Sequence, residues 1–212
     1  MVRLALDSRP KPVYTPSMRA AFKDWAVVVD ALGRGDQIVI LRKGGLQEGR
    51  GGFKPDQPGF LLFPTQFHQQ RESVIPSAQA RFDEIQRNLL PPGKVRLQFI
   101  AEVALALRLD SLAAANGLRG QHIWRDEIIA ERFDWGRDKS IFALAVRVFR
   151  LPRPIELPMR ESYGGCKSWI ELDKDISIEG ATPVLDDEDF EAKIDSFRNA
   201  LDSHKPALAS TG

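Results

Sequence analysis

The chain reads as an α+β protein with a mostly antiparallel or mixed β core, inserted helices and a C-terminal helix. Three observations predict this. Residues 95–109 alternate with period two: Val95, Leu97, Phe99, Ala101, Val103, Leu105, Leu107 and Leu109 are apolar, with Arg96, Gln98, Glu102 and Arg108 between them. Residues 141–149 alternate again, through Phe142, Leu144, Val146 and Val148. The helical segments between such strands are too irregularly spaced for a doubly wound sheet, and no G-x-G-x-x-G leads a strand into a helix. A small β barrel of the kind found in pseudouridine-synthase-type RNA-binding domains is one form such a core takes, by analogy of fold alone.

The elements follow in order. Residues 1–17 carry Pro10, Pro12 and Pro16 without periodicity and read as an extended arm. Ser17 is placed to cap a helix that sets Phe22, Trp25, Val29 and Leu32 opposite Arg19, Lys23, Asp30 and Arg34. Val27, Val28 and Val29 pull that stretch toward strand, and Gly33 and Gly35 stop it. Residues 37–41 form a short apolar run expected as a buried strand, as do Phe60–Phe63. Between the two lies a loop dense in glycine. Thr65 is placed to cap a short helix carrying His68. Pro76 and Ser77 open a helix with Phe82, Ile85 and Leu89 on one face, ended by Pro91, Pro92 and Gly93. Fifteen residues from 95 to 109 are long for one strand and call for a bend or bulge midway. Helices are expected near 110–116 and 122–133. Pro152, Pro154 and Pro158 restrict the chain after 149 to edge strand or irregular structure. The last helix has Asp186 as cap, acids in its first turn and Phe190, Ile194, Phe197 and Leu201 as its apolar stripe. The expected organisation is an arm over 1–17, one α+β domain over 18–180, an acidic helix over 181–203 packed on it, and a disordered tail over 204–212.

With 212 residues the chain is long enough to build a core without covalent staples. One cysteine excludes an intramolecular disulfide and a cysteine metal cage, and three histidines at 68, 122 and 204 are too scattered for a histidine metal site. No metal and no cofactor is called for. No apolar run approaches the roughly 20 residues of a membrane span, and the apolar part of the amino terminus is too short for a signal peptide. A cytoplasmic protein without a membrane partner is the expectation. The net charge of +1 conceals an asymmetry, since residues 170–203 carry −8 and residues 1–169 carry +8. A basic body with an acidic C-terminal segment fits a nucleic-acid face. It fits equally a solvated acidic helix that offsets scattered arginines.

Three segments set charge, glycine and aromatic residues together. Arg42, Lys43, Gly44 and Gly45 leave a buried strand; glycine lets a backbone approach a phosphate and the cations supply charge. No Gly-Lys-Ser/Thr is present, so a glycine-rich hairpin with incidental basic residues accounts for it equally. Thr65 and His68 stand beside a strand end, where a histidine can transfer protons or simply hold structure. The third segment runs through Tyr163, Gly164, Gly165, Cys166, Lys167, Ser168 and Trp169, offering two stacking rings, a cation, a hydroxyl and a sharp turn. Cys166 lacks a base at any telling spacing and reads as a structural thiol. The one Glu-x-Lys, at Glu191 and Lys193, falls on the terminal helix rather than a strand, which argues against a metal-dependent nuclease core.

Trp25–Val28, Leu41–Gly45, Leu62–Thr65 with His68 and Gln69, and Tyr163–Trp169 together resemble a bacterial family known only as domain of unknown function 1802. The resemblance covers about residues 18–175 and implies no activity, substrate or catalytic residue. It does imply that the three segments belong to one unit. The leading expectation is a binding module for nucleic acid or a nucleotide. Arg42, Lys43, Gly44, Gly45 and Lys167 would contact phosphate, and Tyr163 and Trp169 would stack a base. The two turns are accordingly expected to line one cleft. An enzyme on a phosphorylated or nucleotide-like small molecule, with His68 as acid/base, is the alternative. A protein-interaction scaffold is the third.

Overall fold

The computed structural model describes residues 17–43, 59–66, 70–165 and 167–203. The arm over 1–16, Gly44, Gly45, His68, Cys166 and the tail over 204–212 lie outside the described residues. Seven strands make one mixed sheet: β1 (Ser17–Trp25), β2 (Val39–Arg42), β3 (Gly59–Thr65), β4 (Lys94–Leu109), β5 (Ile141–Pro158), β6 (Trp169–Ser177) and β7 (Thr182–Pro183). Their order is β2-β5-β4-β3-β1-β6, with β7 paired to β5. Only β1 and β3 run parallel; every other pairing is antiparallel. Five helices complete the fold: α1 (Ala26–Gly33), α2 (Pro76–Arg87), α3 (Leu112–Gly117), α4 (Asp126–Asp134) and α5 (Asp187–Asp202).

The sheet is buried on both faces at its centre. Adjacent residues of β1 and β3 enter different cores, as alternation requires. Phe22, Phe60 and Leu62 join a large core with Ile40, Leu144, Val146 and residues of all five helices. Ala21, Leu61 and Phe63 join a smaller one with Leu97, Ile100, Leu151, Leu157, Tyr163 and Leu172. β4 serves both cores because its register with β5 shifts twice, between Leu97 and Phe99 and between Val103 and Leu105. Leu97 therefore faces the small core and Phe99 the large one, although both are odd positions of a single alternation. Leu107, beyond the second shift, is exposed.

The first predicted helix is corrected. Residues 17–25 are a strand, and the helix begins only at Ala26. Lys23, read from the sequence as part of a polar helix face, and its neighbour Asp24 are buried at 8% and 3% exposure in a strand paired on both sides. The β-branched Val27–Val29 sit instead in α1, buried against the sheet, so tertiary packing overrides local propensity in both halves. β5 is also longer than the alternation suggested. It continues through all three prolines because Pro152 and Pro154 fall at 151–154, where the β4–β5 register shifts and no ladder partner is found, and Pro158 ends the stretch 155–158 that pairs with β4 alone.

α1 must end where it does. A Cβ on Gly33 would lie 2.1 Å from the Phe99 ring, whose face carries the Arg150 guanidinium while Arg150 donates to the Gly33 carbonyl at 2.8 Å. At the other end of the chain, the Asp186 carboxylate accepts the Asp189 N–H at 2.8 Å and caps α5, and three acids in its first turn complement the helix dipole. Phe190, Ile194, Phe197 and Leu201 join the large core, and Asp187 pairs with Arg147 of β5. Among the described residues no helix is long and apolar enough to cross a membrane.

His122 stands 5% exposed in the turn before α4, with Nδ1 accepting the Trp124 N–H at 3.2 Å. Burial lowers its pKa from 6.5 to about 4, outweighing the nearby Asp126 carboxylate. The unfolded chain thus binds a proton that the folded chain refuses, and stability falls as pH drops from about 6.5 toward 4. Urea unfolding between pH 7.5 and 5 should show a loss of about 2 kcal/mol from this group. The loss should be absent in His122→Phe; an equal slope in that variant would show that other groups carry it.

Candidate functional site

The site begins at the end of β2. Although β2 and β6 terminate opposite ends of the hydrogen-bonded strand order, Arg42 brings them together. Its Nη2 donates to the Lys23 carbonyl at 2.8 Å and to Ser168 Oγ at 3.2 Å. Its guanidinium lies 5.0 Å above the Phe22 ring and 3.7 Å from Asp24 Oδ1. The sheet is open in its backbone pairing and bridged by one side chain.

Asp24 is the buried carboxylate of this end. Its Oδ1 accepts the Trp25 N–H at 2.8 Å, and its carbonyl accepts Thr65 Oγ1 at 3.1 Å. Thr65 lies across from Trp25 in the parallel β1–β3 register, so three strand ends meet here. A second guanidinium arrives from α4: Arg132 donates to the Leu41 carbonyl at 3.2 Å and stacks 3.8 Å over the Trp124 ring. Burial pulls its pKa down from the usual guanidinium range to about 10; Asp24 opposes that fall and Arg42 adds to it. Two guanidinium groups therefore lean on the one buried carboxylate among the described residues. Trp25 and Trp169 are half-buried at the rim, Trp169 edge-on to Phe22 and Phe60 at 4.8 and 4.9 Å.

Arg42 of the first glycine-bearing segment touches Ser168 of the other. Other residues take different parts from those expected. Lys43 turns away from Arg42, its Nζ donating to the carbonyls of Phe133 at 2.8 Å, Ser140 at 3.1 Å and Asp138. It holds the turn after α4, and three carbonyls leave little of the ammonium for a phosphate. Tyr163, expected to stack a base, is only 3% exposed; its ring packs on Phe63 and its hydroxyl accepts the Asp173 N–H at 3.0 Å. Gly165 is left-handed at φ 73, a conformation in which a side chain is strained. Lys167 is exposed, and Ser168 is buried against Arg42. Gly44, Gly45 and His68 lie outside the described residues. Among the described residues no cluster of His, Cys, Asp or Glu could hold a metal ion.

Sequence reading missed Lys23, Asp24 and Arg132. Lys23 Nζ donates to the carbonyls of Tyr163 at 2.8 Å and Gly165 at 2.7 Å, so the Tyr163–Gly165 turn folds around an ammonium from the neighbouring strand. The available signal is the charged pair Lys23–Asp24 flanked by Phe22 and Trp25; helical spacing places Lys23 with Arg19, Asp30 and Arg34 on a polar face. Arg132 carried none, because its spacing suits an exposed helix face.

A family model described as a domain of unknown function (DUF1802) matches residues 21–196. No curated protein matches the sequence. Among solved structures the chain is similar to ASCH from Zymomonas mobilis, with TM-score 0.44, 12% identity, and 83% of this chain and 93% of that one covered. Two single-residue variants of the same protein match with TM-scores of 0.40 and 0.38, each at 12% identity; the coverage is 83% and 67% of this chain and 96% and 88% of theirs.

The part found for Lys43 is testable through stability. Lys43→Met removes three hydrogen bonds from a cation to carbonyls, and should lower unfolding free energy by about 1–3 kcal/mol in urea titration. An unchanged midpoint would return Lys43 to the role of a free surface cation.

Proposed function

As the chain belongs to the DUF1802 family, whose description assigns no activity, we propose a function from the site itself: a binding module for nucleic acid or a nucleotide that seats a phosphate at Arg42 and Arg132. The observation that carries this reading is the charge balance at the strand ends. Arg42 and Arg132 repel one another, and the buried Asp24, which attracts both, sets one negative charge against their two. A phosphate beside them supplies the missing negative charge and accepts the donor fork that guanidinium presents. Thr65 and Ser168 supply hydroxyls at the same end, and the half-buried rings of Trp25 and Trp169 supply faces for a base. Tyr163 has no part in stacking on this reading, and Lys43 acts by holding the turn after α4.

Binding to a labelled single-stranded RNA and to a mononucleotide, followed by fluorescence anisotropy and competition, tests it. Affinity for the oligonucleotide should fall steeply between 50 and 200 mM salt, with log–log slope near 0.7 per phosphate contacted. Lys167→Glu reverses an exposed charge on the Ser168 turn and should weaken binding about tenfold without moving the melting temperature. Arg132→Gln should weaken it further and lower the salt slope by about one. Absence of binding to either probe, or binding insensitive to salt, overturns the proposal.

A further inference from the structure

Trp135 follows the last residue of α4 and is 74% exposed, whereas Trp25, Trp124 and Trp169 are half-buried or buried. Its N–H donates to the Glu131 carbonyl at 2.9 Å, so its Cα keeps a helical position. Residues three apart are neighbours on one side of a helix, and Trp135 therefore stands one turn beyond Arg132, the guanidinium that reaches the end of β2.

The turn after Trp135 is fixed to the same place. Lys43, next to Arg42 in the chain, ties together the carbonyls of Phe133, Asp138 and Ser140. Its ammonium lies at the C-terminal end of α4 and answers the negative pole that otherwise repels an anion there. The acids of the turn are answered as well: Asp134 pairs with Lys139 at 3.0 Å, and Asp138 with Arg108 at 3.3 Å. Arg137 is left over, exposed and without an ion-pair partner among the described residues. A pinned turn thus presents one bare ring and one unanswered cation beside the Arg42–Arg132 site.

That combination selects a partner. A lone ring bordered by Asp134, Arg137, Asp138 and Lys139 offers too little contiguous apolar area for a protein interface or a lipid surface. One ring face is enough to stack a base, and a neighbouring guanidinium suits the phosphate attached to it. We propose that Trp135 and Arg137 form an outer subsite for a single-stranded nucleic acid, holding the base and phosphate of a nucleotide further along the strand from the one seated at Arg42 and Arg132. This subsite rests on the phosphate-binding reading and narrows its ligand from a mononucleotide to a strand.

Anisotropy of a labelled RNA octanucleotide and of a labelled mononucleotide, each titrated with the full chain, tests it. Trp135→Ala should weaken the octanucleotide about tenfold and leave the mononucleotide unchanged. Trp135→Phe, which keeps a ring, should recover most of that loss. Arg137→Gln should weaken the octanucleotide and lower its log–log salt slope by about 0.7. Both side chains are exposed, so the melting temperature should not move. An octanucleotide bound equally by wild type and Trp135→Ala overturns the subsite and leaves the Arg42–Arg132 reading standing. Equal weakening of both probes in Trp135→Ala puts the ring inside the mononucleotide site and overturns it too. A free chain that sediments as a dimer, and as a monomer only in Trp135→Ala, makes the ring a self-association surface and likewise overturns it. Absence of binding to both probes overturns the two readings together.

Discussion

The bridge made by Arg42 sets the shape of this protein. Its sheet ends at β2 on one side and β6 on the other, and among the described residues no backbone ladder joins the two. Arg42 reaches from the first edge to the Lys23 carbonyl and Ser168 Oγ beside the second, with the Phe22 ring beneath it. A planar guanidinium suits this task because its donors are fixed in direction while its faces rest on an aromatic ring. Lysine would keep the charge at that place but lose both features.

Buried and half-buried cations recur at this end of the sheet, each satisfied by main-chain oxygen as much as by carboxylate. Lys23 organises the Tyr163–Gly165 turn, Lys43 the turn after α4, and Arg132 the end of β2 through the Leu41 carbonyl. Carbonyl oxygens supply partial negative charge without the desolvation cost of burying a second ion. The consequence is a set of loops pinned to the strand ends, with cationic charge only partly answered by Asp24. A binding reading follows from that imbalance. So does the rigidity that a binding surface needs, because the same contacts that leave charge unanswered also fix the turns that carry it.

The helices have a different task. α1, α2, α3, α4 and α5 all contribute to the large core over one face of the sheet, whereas the smaller core is closed mainly by strands and by Tyr163. The acidic α5 lies on the basic body through its apolar stripe, and its Asp187 pairs with Arg147. Part of the charge asymmetry along the chain is thus met by contact between its two halves.

Period and punctuation alone determined residues 95–109 and 141–149 as strands, the cap and stripe of α5, and the mixed β core with inserted helices. Those features depend on residues near each other in the chain, where alternation and capping act directly. Tertiary structure decided the rest. Ser17–Trp25 has a helical charge pattern but lies between β3 and β6, so Lys23 and Asp24 are buried and their partners come from 140 residues away in one case and from Arg42 in the other. The register shift in β4 between Leu97 and Phe99 divides one alternation between two cores, which no count along the chain reveals. Lys43 looked like a phosphate ligand because its sequence neighbours are basic and glycine-rich, yet its direction is set by three carbonyls about 90 or more residues distant. A lysine's chemistry is local, but the choice among its acceptors is made by whatever the fold brings within reach.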